Sequence, residues 1–176
     1  MVLASAFTEG SANDWLAIAF VDGHHTSDAL GVLGLGIFLI FMTLGRTFGT
    51  IFIDKYGRLP VLRISFASAL IGSLMLIFGD TTIAFIGSAI WGIGASLGFP
   101  VGVSAAADDP LRAAKRLSVV TTIGYGAFLA GPALIGLLGD WFGVLRALLV
   151  VGLFAIVAFI AAPASRPIIN ESQSIN

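Results

Sequence analysis

Residues 49–63 read GTIFIDKYGRLPVLR, and residues 131–146 read GPALIGLLGDWFGVLR. Each is an apolar run that stops at an Asp, passes an aromatic residue and a Gly, and leaves through Val-Leu-Arg. The matching positions are Asp54, Tyr56 and Gly57 in the first and Asp140, Phe142 and Gly143 in the second, with three extra residues before Val61. Asp tolerates caps and tight turns, and Gly supplies positive φ without steric cost, so both stretches read as a helix end followed by a turn. The same end appearing twice divides the chain into two repeats, about 1–80 and about 81–163.

The medium around those helices follows from composition. With 57% hydrophobic and 11% charged residues and a mean hydropathy of +1.01, the chain is solvated mainly by lipid, so an all-α polytopic membrane protein is expected. A span needs about 20 apolar residues to cross a ~30 Å hydrocarbon core. Six segments qualify: about 1–21, 29–53, 61–79, 82–107, 117–139 and 144–162. Short turn-rich loops join them, and residues 164–176, ASRPIINESQSIN, read as a disordered polar tail.

Lys55, Arg58, Arg63, Arg112, Lys115, Arg116 and Arg166 fall at one end of the spans and Arg146 alone at the other. Basic loops stay in the cytoplasm, which places both termini inside a plasma membrane, the inner membrane in a bacterium. The turn at Asp54 is then cytoplasmic and the turn at Asp140 external, so the two triplets form an inverted three-plus-three repeat.

Several functions are excluded. A net charge of −1 offers no basic surface for nucleic acid. No cysteine is present for disulfides or thiolate metal sites, and no cofactor or metal motif occurs. Gly94–Gly98 fits the Gly-x-Ser-x-Gly spacing of a serine nucleophile. Yet the two histidines, His24 and His25, lie together in the loop after the first span, away from Ser96, so no enzyme is expected. Gly94, Gly98 and Gly102 read instead as a packing stripe beside Pro100. The opening MVLASAFTEG lacks the basic start of a cleavable signal.

Charges inside spans mark the candidate site. Counting back from Val21, Glu9 lies ~18 Å below the outer edge, near the midplane, and Asp14 about 10 Å below it. Each acid at such depth costs roughly 2.5–3.5 kcal/mol against lipid, so a polar cavity is expected around them. Asn13 shares a face with Glu9, about 40° away around the helix, whereas Asp14 is about 140° away. Arg46 is the second intramembrane charge, ~12 Å from the Asp54 end of its helix, placed to bind a substrate hydroxyl or carboxylate or to pair with an acid on the absent half. Spans one, two and five are expected to border a path, and three and six to face lipid.

GTIFIDKYGR resembles the loop motif of the major facilitator superfamily, departing from it where Thr50 stands in place of a glycine. GPALIGLLGDWFG resembles the matching external end of that family's eleventh helix, and TEGSANDW with LGRTFG resembles its sugar-permease branch, which contains fucose permease. The resemblance implies helices seven to twelve of a twelve-helix transporter, with an N-terminal six-helix half, or a second copy, as partner. It further implies a small sugar-like substrate moved by alternating access, with proton symport. Glu9, Asn13, Asp14, Arg46, Trp91 and Tyr125 would line the substrate and proton pathway. Asp54, Lys55, Gly57 and Arg58 would form a charge latch between halves. The alternative is a truncated or split-gene product that serves only in assembly.

Overall fold

The computed structural model describes residues 1–166. These are almost entirely helical: α1 Val2–Ile18, extended by a π turn Ala19–Gly23; α2 Asp28–Tyr56; α3 Arg58–Phe78; and α4 Thr81–Ala95. Then come α5 Gly98–Ala106, α6 Ala113–Phe142, α7 Val144–Ala147, α8 Leu149–Ala161 and a 3-10 turn Ala162–Ser165. The expected disordered tail falls mostly on 167–176, outside the described residues, while Ser165 before it is buried.

Among the described residues five helical segments are long and apolar enough to cross a membrane, namely α2, α3, α4 with α5, α6, and α7 with α8 through Ser165. The first of the six expected spans is not one of them, because α1 has 17 α-helical residues. It is instead enclosed by protein. Every residue from Ala4 to Ala12 is buried, Glu9 included, with α6, α8 and α2 packed around it. A helix buried on all sides needs no apolar stripe, which is why this segment can carry polar residues that lipid would reject.

The turns at Gly57 and Gly143 have nearly the same backbone. Gly57 ends α2 at φ 84°, ψ 162°, and Gly143 ends α6 at φ 82°, ψ 152°. Each donates its N–H four residues back, to Ile53 and Gly139, at 2.8 Å. That conformation belongs to glycine alone, since any Cβ would clash with its own backbone.

The charge-free fourth span is two helices in line. In a continuous helix the Ser96 carbonyl would accept the N–H of residue 100, but residue 100 is Pro and has none. The helix opens at Ser96–Leu97 accordingly. Around this break the glycine stripe packs: a Cβ on Gly94 would meet the Ser65 carbonyl of α3 at 2.7 Å, and one on Gly98 would meet Phe66 at 2.7 Å and Ser5 of α1 at 2.8 Å. Helices pass this closely only over small residues.

Aromatic stacking closes the core. Phe7 of α1 lies on Phe154 of α8 with ring centroids 4.0 Å apart, and Phe20 on Phe85 of α4 at 4.5 Å. α3 buries one side, Ser65, Ala69, Gly72, Ser73 and Leu76, against α4 and α8 and exposes Ile64, Ile71 and Phe78 on another. α2 and α6 are the most open helices, each with a long row of exposed apolar side chains.

Candidate functional site: an ion pair at a broken helix

Arg46 and Glu9 meet. The Arg46 Nη2 donates to Glu9 Oε1, and its Nε donates to the Ser96 carbonyl at 3.1 Å. One guanidinium thereby joins α1, α2 and the gap between α4 and α5. Each partner has a reason to be there: the carboxylate is expelled by lipid, and the carbonyl is left without a helical donor by Pro100. Gly45, one residue before, lets α2 come this close, since a Cβ there would lie 2.5 Å from the Ser96 hydroxyl oxygen.

The pair is asymmetric. The Glu9 side chain is 8% exposed and the Arg46 side chain 42%. The second carboxylate oxygen, Oε2, is buried with no hydrogen-bond partner among the described residues, as is the hydroxyl of Ser5, one turn earlier on α1.

Below Arg46 lies a cavity of about 380 Å³, lined by Arg46, Thr50, Asp54, Arg58, Pro100 and Ser104 among others. It joins the ion pair to the loop motif. Arg58 grips Asp108 in a two-pronged contact, 2.5 Å to Oδ2 and 3.1 Å to Oδ1, and reaches Ser104 Oγ at 3.4 Å. Asp54 lines this cavity and makes no ion pair or hydrogen bond among the described residues. It does not cap α3, whose start at Gly57 has no side-chain cap. Lys55 lies over the Tyr56 ring at 5.0 Å. Gly49 lets α2 approach α4 and α5 closely, because a Cβ there would lie 2.7 Å from Leu97.

The remaining expected site residues are scattered. Asn13 is half-buried and Asp14 exposed, on different sides of α1 as their angles require. Tyr125 is 61% exposed on α6, its ring 6.2 Å from Phe99. Trp91 corrects the sequence reading: it is wholly buried, edge-on to Phe38 at 5.7 Å, and offers no face to a solute. Ser96 is not a nucleophile in waiting, since its hydroxyl donates to Ile93 at 2.6 Å while His24 is engaged with the Leu76 carbonyl. Among the described residues no three His, Asp or Glu side chains gather as a metal site. Ser96 as an acceptor and Asp108 as the ion-pair partner of Arg58 carried no expectation in the sequence. The signal for Ser96 was present, a proline four residues downstream.

Membrane-length helices around a half-exposed ion pair and a broken helix define a polytopic integral membrane protein. The family model of the Major Facilitator Superfamily matches residues 1–173. An uncharacterized transporter, y4wD, of Sinorhizobium fredii is 33% identical over 93% of this chain and 44% of its own length. An uncharacterized MFS-type transporter of Yersinia pestis is 35% identical over 75% of the chain and 35% of its own, and the membrane protein MosC of Rhizobium meliloti is 29% identical over 81% and 35%. No solved structure matches. The chain belongs to the Major Facilitator Superfamily, and it spans less than half the length of these curated relatives.

Proposed function

We propose that this chain is the C-terminal, six-helix half of a secondary transporter that moves a small, sugar-like polar solute by alternating access with proton coupling. The observation that carries the proposal is the Arg46–Glu9 pair set on the freed Ser96 carbonyl. Broken helices expose backbone carbonyls where membrane transporters bind solutes and ions. Here the half-exposed Arg46 faces outward from the bundle and has donors to spare for a solute hydroxyl, while Glu9 is the carboxylate available to a proton. The substrate and proton pathway then comprises Glu9, Asn13, Asp14, Arg46 and Tyr125, without Trp91.

Matching glycine turns at 57 and 143 support the inverted repeat, with α1 as its first helix. The basic ends support a reading in which both termini lie on the cytoplasmic side of a bacterial inner membrane. Asp54 and Lys55, which make no ion pair among the described residues, are the charged members of the loop motif that would latch the other half, Arg58 being held by Asp108 within this one. The exposed apolar rows of α2 and of the far half of α6, Leu129 to Trp141, are the surfaces where an N-terminal half, or a second copy, would dock.

Those open rows also favour a second reading, a split or truncated product that only assembles with a partner. One experiment separates the two. Vesicles holding the chain with an N-terminal six-helix half from a relative should take up a labelled monosaccharide, and vesicles holding the chain alone should not. Complex formation without uptake of any solute would leave the assembly reading in place.

A further inference from the structure

A second cavity, of about 760 Å³, opens at the basic end of the bundle between α1, α5 and α6. Its walls are apolar, with Val2 of α1 and Val119, Val120 and Ile123 of α6. Val119 is 51% exposed and Ile123 45%. Arg112, Lys115 and Arg116 line the same cavity from the start of α6.

These cations exceed the acids around them. Of the two carboxylates in the preceding loop, Asp108 is taken by Arg58 and Asp109 by Arg116 at 3.6 Å. Arg112 and Lys115 have no ion pair among the described residues. The uncapped start of a 30-residue helix adds its own partial positive charge beside them.

We propose that this cleft binds an anionic phospholipid, its phosphate on Arg112 and Lys115 and one acyl chain along Val119, Val120 and Ile123. Charge and depth argue for a lipid. Val119 to Ile123 lie about 6–12 Å along α6 from Lys115, at 1.5 Å per residue. The polar layer on each side of a bilayer is roughly 5–8 Å deep, so cations and apolar wall are spaced as headgroup and acyl chain are. Basic pockets between helices at the cytoplasmic surface suit such headgroups.

The absence of cysteine makes the test direct. A fluorophore on Ala164→Cys, in the cleft wall, is read in phosphatidylcholine vesicles containing 20 mol% of either brominated phosphatidylglycerol or brominated phosphatidylcholine. Two surface cations support at least about fivefold stronger quenching by the anionic lipid. The preference should vanish in Arg112→Gln/Lys115→Gln and persist in Lys55→Gln/Arg63→Gln, which removes equal charge from the same end, with helical circular dichroism unchanged in both. Preference surviving the first pair, or lost equally in the second, overturns the proposal. So does preference seen only after deletion of residues 167–176, which would mean that the chain's own tail fills the cleft.

Discussion

Replacing Arg46 by Met keeps the length and apolar bulk of the stem and removes every donor from the broken-helix site. Glu9, 8% exposed, then holds a carboxylate with no cation, and the Ser96 carbonyl loses the Nε hydrogen bond. Breaking a buried pair by removing one partner costs about 3–5 kcal/mol. Because the Arg46 side chain is 42% exposed, water shares in the pair, and we take ~2–3 kcal/mol. For a chain of this length each kcal/mol moves a melting midpoint by roughly 2–4 °C, so Arg46→Met should melt about 5–10 °C below the parent. The double variant Glu9→Gln/Arg46→Met buries no charge and should recover at least half of that loss, a coupling of about 1 kcal/mol or more. Intrinsic tryptophan fluorescence of the chain in detergent reads all four corners of the cycle. A single variant melting within about 1 °C of the parent, or a double variant no more stable than Arg46→Met, would refute the claim that Arg46 compensates Glu9.

Pro100→Ala returns an N–H to the Ser96 carbonyl and should close the helix break; a proline costs a helix interior ~3 kcal/mol relative to alanine, so the variant should melt higher while transport in the assembled protein falls. Gly57→Ala and Gly143→Ala each force a Cβ into a glycine-only conformation and should each lower the melting midpoint by about 3–9 °C, from roughly 1–3 kcal/mol of strain. Cysteines at Thr26 and Thr81 should react with an impermeant thiol reagent applied outside cells, whereas one at Ala114 should react only after permeabilisation; the reverse pattern would invert the orientation.

The helix ends at Gly57 and Gly143 were legible in the sequence because positive φ leaves glycine as the sole affordable residue, and the flanking Asp and aromatic residues repeat with it. Glu9 and Arg46 were legible one at a time, since an ionised group at membrane depth must face something polar. Their meeting was not, because it depends on how α1 and α2 rotate about their axes, and the near-uniform apolarity of α2 leaves that rotation unspecified. Trp91 was misplaced for the same reason: glycines at 87, 92 and 94 let α4 press against α3 and α2, and that close packing swallows a ring that composition alone would allow on any face. Asp108 escaped notice because loop-to-loop contacts between Arg58 and residues 50 positions away have no periodic signature.

The central claim is that Glu9, held by Arg46 at the break in the fourth span, carries the proton of a coupled transporter. Glu9→Gln keeps the shape of the side chain and fixes it uncharged. In vesicles containing the chain assembled with an N-terminal half, pH-driven accumulation of labelled solute against its gradient should disappear in Glu9→Gln while solute exchange at equal pH continues. If Glu9→Gln still concentrates solute in proportion to the imposed pH gradient, Glu9 only holds the helices together and the coupling mechanism proposed here is wrong.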